Sequence, residues 1–97
     1  MNLQEIREYL ERNNEPNLMP SELDHVAMCC DHITKWYYED YPIGSFLTAI
    51  VRNDLIGATL QADDINIRAL KLYAWFLIWP LPADWIAKGQ GKKVEVV

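Results

Sequence analysis

The sequence has few of the residues on which several large classes of protein depend. Its 97 residues include only two cysteines, Cys29 and Cys30, which are neighbours in the chain. Because neighbouring residues on a helix point about 100° apart, these two thiols are badly placed to bond to each other. Unpaired thiols are typical of a reducing compartment, so we predict a cytoplasmic protein with no disulfide.

Long apolar runs are also missing. The most apolar segment, residues 69–81, is interrupted by Lys71 and is too short to span a bilayer. The chain is polar and charged from Asn2 onward, unlike a secretory signal peptide. We therefore expect no membrane partner.

Positive charge is scarce in the first half of the chain. The formal net charge is −5, and residues 1–42 hold nine acidic side chains against three basic ones. Binding to a nucleic-acid backbone requires clustered Lys and Arg, so direct nucleic-acid binding is not expected. The acidic excess either keeps the chain soluble as solvated faces or forms a surface that imitates a phosphate backbone.

Motifs for catalysis and phosphate transfer are absent, since the sequence contains neither GxGxxG nor a P-loop. The residue types needed for a nucleophile, a base and an orienting acid do occur, at Cys29, at His25 and His32, and at Asp24. All four lie on one predicted helix, however, and no oxyanion hole accompanies them. The sequence therefore predicts a protein that is not an enzyme, with no catalytic residues and no cofactor.

His25, Cys29 and His32 also belong to the types that bind zinc. They stand at i, i+4 and i+7, which separates the two histidines by about 10 Å along the helix axis. No further His or Cys exists to complete the ligand set. We predict no metal site within one chain, while a metal shared across an oligomer axis stays an alternative.

Hydrophobic residues make up 51% of the chain, and they recur at helical spacing. The pattern predicts an all-α fold, a small bundle of four to five helices. Helices are predicted over residues 2–13, 21–39 and 45–52, with a last helix from Asp63 or Asp64 to about residue 79. Residues 55–61 either continue the third helix or form a short separate one. One domain covers residues 1–87, and residues 88–97 are predicted to be a flexible basic tail.

The second helix begins after Ser21 in this prediction, with Asp24 as the acid of a capping box. Its core side is the stripe that contains Leu23, Val26 and Ile33. Gly57 costs about 1 kcal/mol of helix propensity, which suggests that another group approaches it closely.

Two predicted helices carry more apolar surface than one small domain can cover. The last helix is apolar around its whole circumference, and the second helix has a partly apolar face opposite its core stripe. We therefore predict a homo-oligomer. The predicted interface consists of His25, Met28, Cys29, His32, Trp36, Trp75 and Trp79.

A polar cluster interrupts the apolar region between the third and last helices. Gly44 and Ser45 precede a helix, whose start can bind phosphate, and Asn53, Asp54, Asp63 and Asn66 are either helix caps or the lining of a pocket. A phosphate ligand also needs positive charge, which Arg52 and Arg68 would supply. The predicted ligand-binding residues are Gly44, Ser45, Arg52, Asn53, Asp54, Asp63, Asn66 and Arg68.

Residues 42–70 contain the pattern Pro-x-Gly-x-Phe-Leu-x-Ala-Ile, followed by Asn-Asp-Leu, Ala-Asp and Asn. Here the residues are Pro42, Gly44, Phe46, Leu47, Ala49, Ile50, Asn53, Asp54, Leu55, Ala58, Ala62, Asp63, Asn66 and Leu70, with Trp79–Pro80 further on. This pattern resembles a family of small proteins of unknown function encoded by tailed bacteriophages and prophages. The resemblance covers about a third of the chain, and it implies the cytoplasm of a bacterial host.

A small phage protein without a catalytic signature suggests an accessory factor that acts against host defence. The first hypothesis is an oligomeric binding module that sequesters a small, nucleotide-like ligand in pockets at subunit seams. The alternative is an acidic protein that docks on a host defence protein and blocks it, like an anti-CRISPR or a nucleic-acid mimic. That alternative requires one surface formed by Glu5, Glu8, Glu11, Glu15, Glu22, Asp24 and Asp31. A structural or regulatory phage protein without a host target is the third class.

Overall fold

The computed structural model describes residues 1–91, and every regular element in that range is an α-helix. The prediction of an all-α protein is therefore confirmed, but the count of four to five helices is too low. Residues 1–91 form seven helices: α1 (Leu3–Arg12), α2 (Pro20–Glu39), α3 (Ser45–Val51), α4 (Leu55–Gln61), α5 (Asp64–Arg68), α6 (Leu70–Ile78) and α7 (Trp85–Gly89).

The first extra helix arises because α3 and α4 are separate. Asn53 has a left-handed backbone with φ of 57°, which Asn tolerates better than most residues. The Asp54 side chain then accepts a hydrogen bond from the Gly57 N–H at 2.9 Å and caps α4. The short separate helix, one of the two alternatives above, is thus the one that forms, and α3 and α4 make a helical hairpin.

The predicted last helix is also divided, at Ala69. The Ala69 N–H is shared between the carbonyls of Ile65 and Asn66, at 3.0 and 3.2 Å, which tightens the chain into a turn. Alanine has no preference for such a break, so the cause is tertiary. In the turned chain the Tyr73 hydroxyl reaches the Asn66 Oδ1 atom at 2.7 Å inside the core, although seven residues separate them.

Helix α2 begins at Pro20 rather than after Ser21, and the predicted capping role of Asp24 is wrong. Proline fits the first helical position because its missing N–H has no partner there in any case. The acid three residues after the Met19 cap is Glu22, whose Oε1 accepts the Met19 N–H at 2.9 Å. Asp24 instead forms an ion pair with Arg7 of α1.

The core lies around α6, whose Leu72, Tyr73 and Phe76 are almost completely buried. Tyr9 of α1 and Phe46 of α3 contact Phe76 and Tyr73 edge to face, with ring centroids 6.5 and 5.4 Å apart. The predicted core stripe of α2 is confirmed at Leu23, Val26, Ala27, Cys30 and Ile33, all of which are buried. Burial of this continuous apolar surface is what stabilises such short helices.

Helix α7 shows that the tail begins later than predicted, because Lys88 and Gly89 belong to a packed helix. The Lys88 ammonium donates to the Tyr37 carbonyl at 3.0 Å and to Asp40 Oδ1 at 2.6 Å, at the end of α2. A cation is favourable there because the carbonyl end of a helix carries partial negative charge. The rest of the predicted tail, residues 92–97, lies outside the described residues.

Candidate functional site

A hollow of about 470 Å³ opens on one side of the α3–α4 hairpin, and we call it the polar hollow. It brings together four of the predicted ligand-binding residues: Gly44, Ser45, Arg52 and Asp54. The remaining lining residues are Ile43, Thr48, Ala49, Gly57 and Gln61. The hollow is large enough for a small-molecule ligand.

The polar side of the hollow follows from the period of α3. Ser45, Thr48 and Arg52 stand at i, i+3 and i+7, so they lie on the same face of one helical stretch. The Thr48 hydroxyl donates to the Ile43 carbonyl at 3.4 Å, which ties the loop before α3 to the helix. Two hydroxyl-bearing residues and an arginine therefore line one concave surface.

Arg52 is the cation of the polar hollow. Among residues 1–91 the bases Arg7, Lys35, Arg68, Lys71 and Lys88 all form ion pairs with acids, whereas Arg52 and Arg12 form none. The Arg52 side chain is exposed, while its backbone carbonyl accepts a hydrogen bond from the Gln90 amide at 2.7 Å. Arg52 thus has a fixed backbone and a guanidinium group with no acid partner in residues 1–91. Such a group is well suited to bind an anion.

Among residues 1–91, Asp54 is the only acid that lines the polar hollow, and its carboxylate is already engaged. It caps α4, and Gly57 leaves the room for it, because a Cβ at position 57 would overlap the Asp54 carboxylate. The group that approaches Gly57 closely is therefore the capping side chain of the same helix. Its negative charge still opposes an anion in the hollow, so Arg52 has to dominate the local field.

A second concavity of about 330 Å³ lies next to the polar hollow, and we call it the apolar groove. It runs between α3, α4 and α6. Its lining is mostly aliphatic, and it includes the predicted site residue Asn53: Ala49, Ile50, Asn53, Asp54, Leu55, Ala58, Leu70, Lys71, Tyr73, Ala74 and Leu77. Ala49 and Asp54 line both concavities, so the two are neighbours.

The structure does not bring Asp63, Asn66 and Arg68 to either concavity. Asp63 caps α5 by accepting the Asn66 N–H at 2.8 Å. Arg68 forms ion pairs with Glu22 and Asp64, and these hydrogen bonds raise the pKa of its guanidinium. The same contact with Arg68 lowers the pKa of Glu22. These residues therefore have structural partners, as in the capping alternative.

Two polar residues of the hollow, Thr48 and Gln61, were not among the predicted site residues. Thr48 follows Ser45 by three residues, so helical spacing alone was sufficient to identify it. Gln61 had no such signal, because its position depends on how α4 folds back over α3.

The predicted interface face of α2 is partly covered within the chain itself. The His32 ring packs on Tyr41, with centroids 5.3 Å apart, and the Lys88 ammonium lies 5.2 Å from the centroid of the Trp36 ring. Cys29 is buried, so its predicted place at an interface is wrong: it turns toward the core beside Tyr73. His25 is half-buried, and the exposed members of the predicted interface are Met28, Trp75 and Trp79.

The thiols of this helix are poorly suited to nucleophilic chemistry. Burial raises the pKa of Cys29, and raises that of Cys30 well above its usual range. The Cys29 Sγ atom lies 3.8 Å from the His25 Nε2 atom. Within residues 1–91, no three His, Cys, Asp or Glu side chains come together in a way that would hold a metal ion.

Most of the acidic residues that a docking surface would need have a basic partner within the chain. Five of the seven that a docking surface would need form ion pairs: Glu11 and Asp24 with Arg7, Glu15 with Lys71, Glu22 with Arg68 and Asp31 with Lys35. Glu5 belongs to the capping box of α1 with Asn2. The net negative field of this region is therefore weaker than its composition indicates.

No helix within residues 1–91 combines the length and the apolar character that crossing a membrane requires. Comparison of the chain with protein-family models, with curated proteins and with solved structures gave no match.

Proposed function

We propose that the chain is a non-enzymatic accessory protein of a phage or prophage, which counters bacterial defence by sequestering a small, nucleotide-like ligand. It acts as an oligomer and holds the ligand in the polar hollow. The observation that carries the proposal is Arg52, a cation in a concave surface of suitable size with no acid partner among residues 1–91.

The chemistry of the hollow fits a phosphate-bearing ligand. A guanidinium group donates two parallel hydrogen bonds to phosphate oxygens, and the hydroxyls of Ser45 and Thr48 lie on the same face of α3. Ile43 and Ala49 offer apolar contact for a flat base, and the Gln61 amide can both donate and accept at its edge. Nothing in this recognition requires a reaction.

Sequestration explains why a chain without catalytic motifs would be useful to a phage. A protein that binds a signalling nucleotide tightly lowers its free concentration by mass action, and needs no turnover. The phage origin rests on the resemblance of residues 42–70, a range that includes the hairpin with the polar hollow. The docking alternative ranks lower because most of its acids already have basic partners.

The test is binding of a panel of linear and cyclic nucleotides by isothermal titration calorimetry, with wild type, R52A and R12A. Arg12 is the matched control, since it too is exposed and forms no ion pair within residues 1–91, but lies on α1. We expect at least one nucleotide to bind wild type and R12A alike. Loss of a charged hydrogen-bond donor should weaken binding by R52A by about 10- to 100-fold.

Native mass spectrometry of protein purified from its host adds a second measurement. A small extra mass that is released on denaturation would identify the ligand directly. Equal nucleotide affinity of R52A and wild type would exclude the polar hollow as the site. The proposed function would be excluded if the wild type bound no nucleotide in calorimetry and carried no phosphate-bearing compound in mass spectrometry.

A further inference from the structure

The apolar groove contains one polar side chain that is open to a ligand. Of the polar residues in its lining, Asp54, Lys71 and Tyr73 each already have a partner within the chain. Asn53 is exposed, and among residues 1–91 its side-chain amide has no hydrogen-bond partner, while its backbone N–H donates to the Ile50 carbonyl at 3.0 Å. An amide that can both donate and accept therefore lies among aliphatic side chains.

The size and the walls of the groove suit a flat ring. Its volume of about 330 Å³ is at the lower end of the range found for small-molecule sites. Ile50, Leu55 and Leu77 offer apolar contact to the faces of a ring, and the Asn53 amide can pair with polar atoms at its edge. Apolar faces with a hydrogen-bonding edge are the features of a nucleobase, and asparagine is a common partner of such an edge.

The groove adjoins the polar hollow at two consecutive residues. Arg52 lines the hollow and Asn53 lines the groove, and their Cα atoms are about 3.8 Å apart, as across any trans peptide bond. The left-handed backbone of Asn53, with φ of 57°, turns the chain at this point. The group proposed to bind phosphate therefore lies at the border of a second site that suits a base.

The charges of the hollow favour a phosphate group with a single negative charge. Arg52 and Asp54 both line it, and within residues 1–91 they form no ion pair with each other. A ligand with several phosphate charges would be attracted by one group and repelled by the other. A phosphodiester carries one charge, so it keeps the attraction of Arg52 at the least cost from Asp54. In a molecule with two nucleosides, this diester lies between the two bases.

We propose that the ligand is a dinucleotide joined by a singly charged phosphodiester, with its phosphate at Arg52 and its second base in the apolar groove beside Asn53. The first base lies in the polar hollow, where the proposed function already places one. The inference rests on that function and adds the class of the ligand, with Asn53 as a specificity-determining residue. A mononucleotide fills only the hollow, whereas a dinucleotide fills both concavities.

The test is isothermal titration calorimetry of the full chain with three probes for each of the four bases: the dinucleoside monophosphate, the mononucleotide and the triphosphate. We expect wild type to bind the best dinucleoside monophosphate about 10-fold more tightly than the matching mononucleotide, because a second base is buried against aliphatic side chains. The triphosphate should bind most weakly of the three, because its additional charge is repelled by Asp54.

Two variants separate the groove from the hollow. N53G removes the amide and keeps a residue that adopts the left-handed backbone without strain, whereas A74F places a ring in the groove from an exposed position. Both should lower the affinity for the dinucleoside monophosphate to about that for the mononucleotide, which should itself stay unchanged. The control A83F makes the same exchange at an exposed alanine outside both concavities, and its affinities should equal those of wild type. Circular dichroism checks the helix content of each variant.

Methyl NMR locates the second base directly. Ala58 and Ala74 line the groove and not the hollow, whereas Thr48 lines the hollow and not the groove. The dinucleoside monophosphate should shift the methyl signals of all three residues, and the mononucleotide should shift that of Thr48 alone.

The inference is overturned if wild type binds the mononucleotide or the triphosphate as tightly as the dinucleoside monophosphate for every base. It is also overturned if N53G and A74F both retain the full preference for two bases. Failure of the proposed function gives a different result, which removes both: wild type binds none of the probes, or R52A binds them as tightly as wild type. Mononucleotide binding that depends on Arg52, without a preference for two bases, keeps the function and removes the dinucleotide.

Discussion

Gly89 of α7 lies directly against the backbone carbonyl of Val51, the last residue of α3, and the contact leaves no room for a side chain. The neighbouring Gln90 donates a hydrogen bond to the carbonyl of Arg52 at 2.7 Å. Helix α7 therefore fixes the end of α3, and with it the backbone of the residue proposed to bind the ligand. The close approach also explains why a glycine stands in the last turn of a short helix.

We expect G89A to destabilise the protein by about 2 kcal/mol or more, since a Cβ would overlap the Val51 carbonyl and push α7 away. Urea denaturation followed by circular dichroism measures the loss. The matched control is G44A, because position 44 has no neighbour within 4 Å and an ordinary negative φ. Equal midpoints for G89A and G44A would show that α7 does not pack in this way.

The buried bond between Tyr73 and Asn66 is a second target. Y73F removes the hydroxyl and leaves the Asn66 Oδ1 atom without its donor, at a cost of about 1 to 3 kcal/mol. Y9F is the control: the Tyr9 hydroxyl bonds to the Trp75 carbonyl at 3.3 Å, but that carbonyl also accepts the Trp79 N–H. Thermal unfolding should therefore show a larger loss for Y73F than for Y9F, and the reverse order would contradict the assignment.

The alkaline range should reveal the bond from the Tyr37 hydroxyl to Asp84. The carboxylate acceptor, together with partial burial, raises the pKa of Tyr37 to about 12. Between pH 10 and pH 12 the unfolded chain has lost this proton while the folded chain still holds it, so the free energy of unfolding falls as pH rises. The stabilisation is fully present below pH 10.

The measurement is the difference in urea midpoint between wild type and Y37F at several pH values from 8 to 12. The difference should be largest at low pH and shrink toward pH 12, whereas other tyrosines cancel because both proteins contain them. Titration of labelled tyrosine by NMR in D84N should move the pKa of Tyr37 back toward 10. A constant difference across the range would mean that the bond does not form.

The contribution of the ion pair between Arg68 and Glu22 can be measured at acid pH, where it is lost. The hydrogen bond from Arg68, and after it the one from the Met19 N–H, lowers the pKa of Glu22 below its usual 4.5. Its contribution is present above that value and is lost as pH falls through the lowered pKa. NMR titration should show a higher Glu22 pKa in R68Q than in wild type, with R12Q unchanged. An unaltered Glu22 titration in R68Q would rule out the pair in solution.

The periodic features of the fold could be predicted from the sequence. Helical spacing identified the all-α class and the buried stripe of α2, and turn chemistry identified Asp54 and Asp63 as cap candidates. The predictions that were wrong concern features that depend on contacts between residues that are not neighbours in the sequence. The break at Ala69 accompanies the bond between Asn66 and Tyr73, and alanine itself carries no signal for it.

The candidate site was predicted in part for the same reason. Gly44, Ser45, Arg52 and Asp54 are close in sequence and span a single hairpin, so they share a concavity. Asp63 and Arg68 come after Gln61, the last residue of α4 and of the lining, and the chain leaves the hollow there in a direction that a sequence pattern alone does not contain. The burial of Cys29 could not be read from the helical wheel either, because it depends on the approach of Tyr73 from α6.

Both thiols of the chain are inside, with Cys30 at 0% and Cys29 at 7% exposure. A reagent in solution can therefore modify them only when the packing of the core against α2 opens. Under conditions where reclosing outpaces the chemistry, the labelling rate divided by that of a free thiol gives the equilibrium constant of this opening. The two native thiols therefore report local unfolding without an added cysteine. A ligand or a second copy that stabilises the closed state should lower their labelling rate.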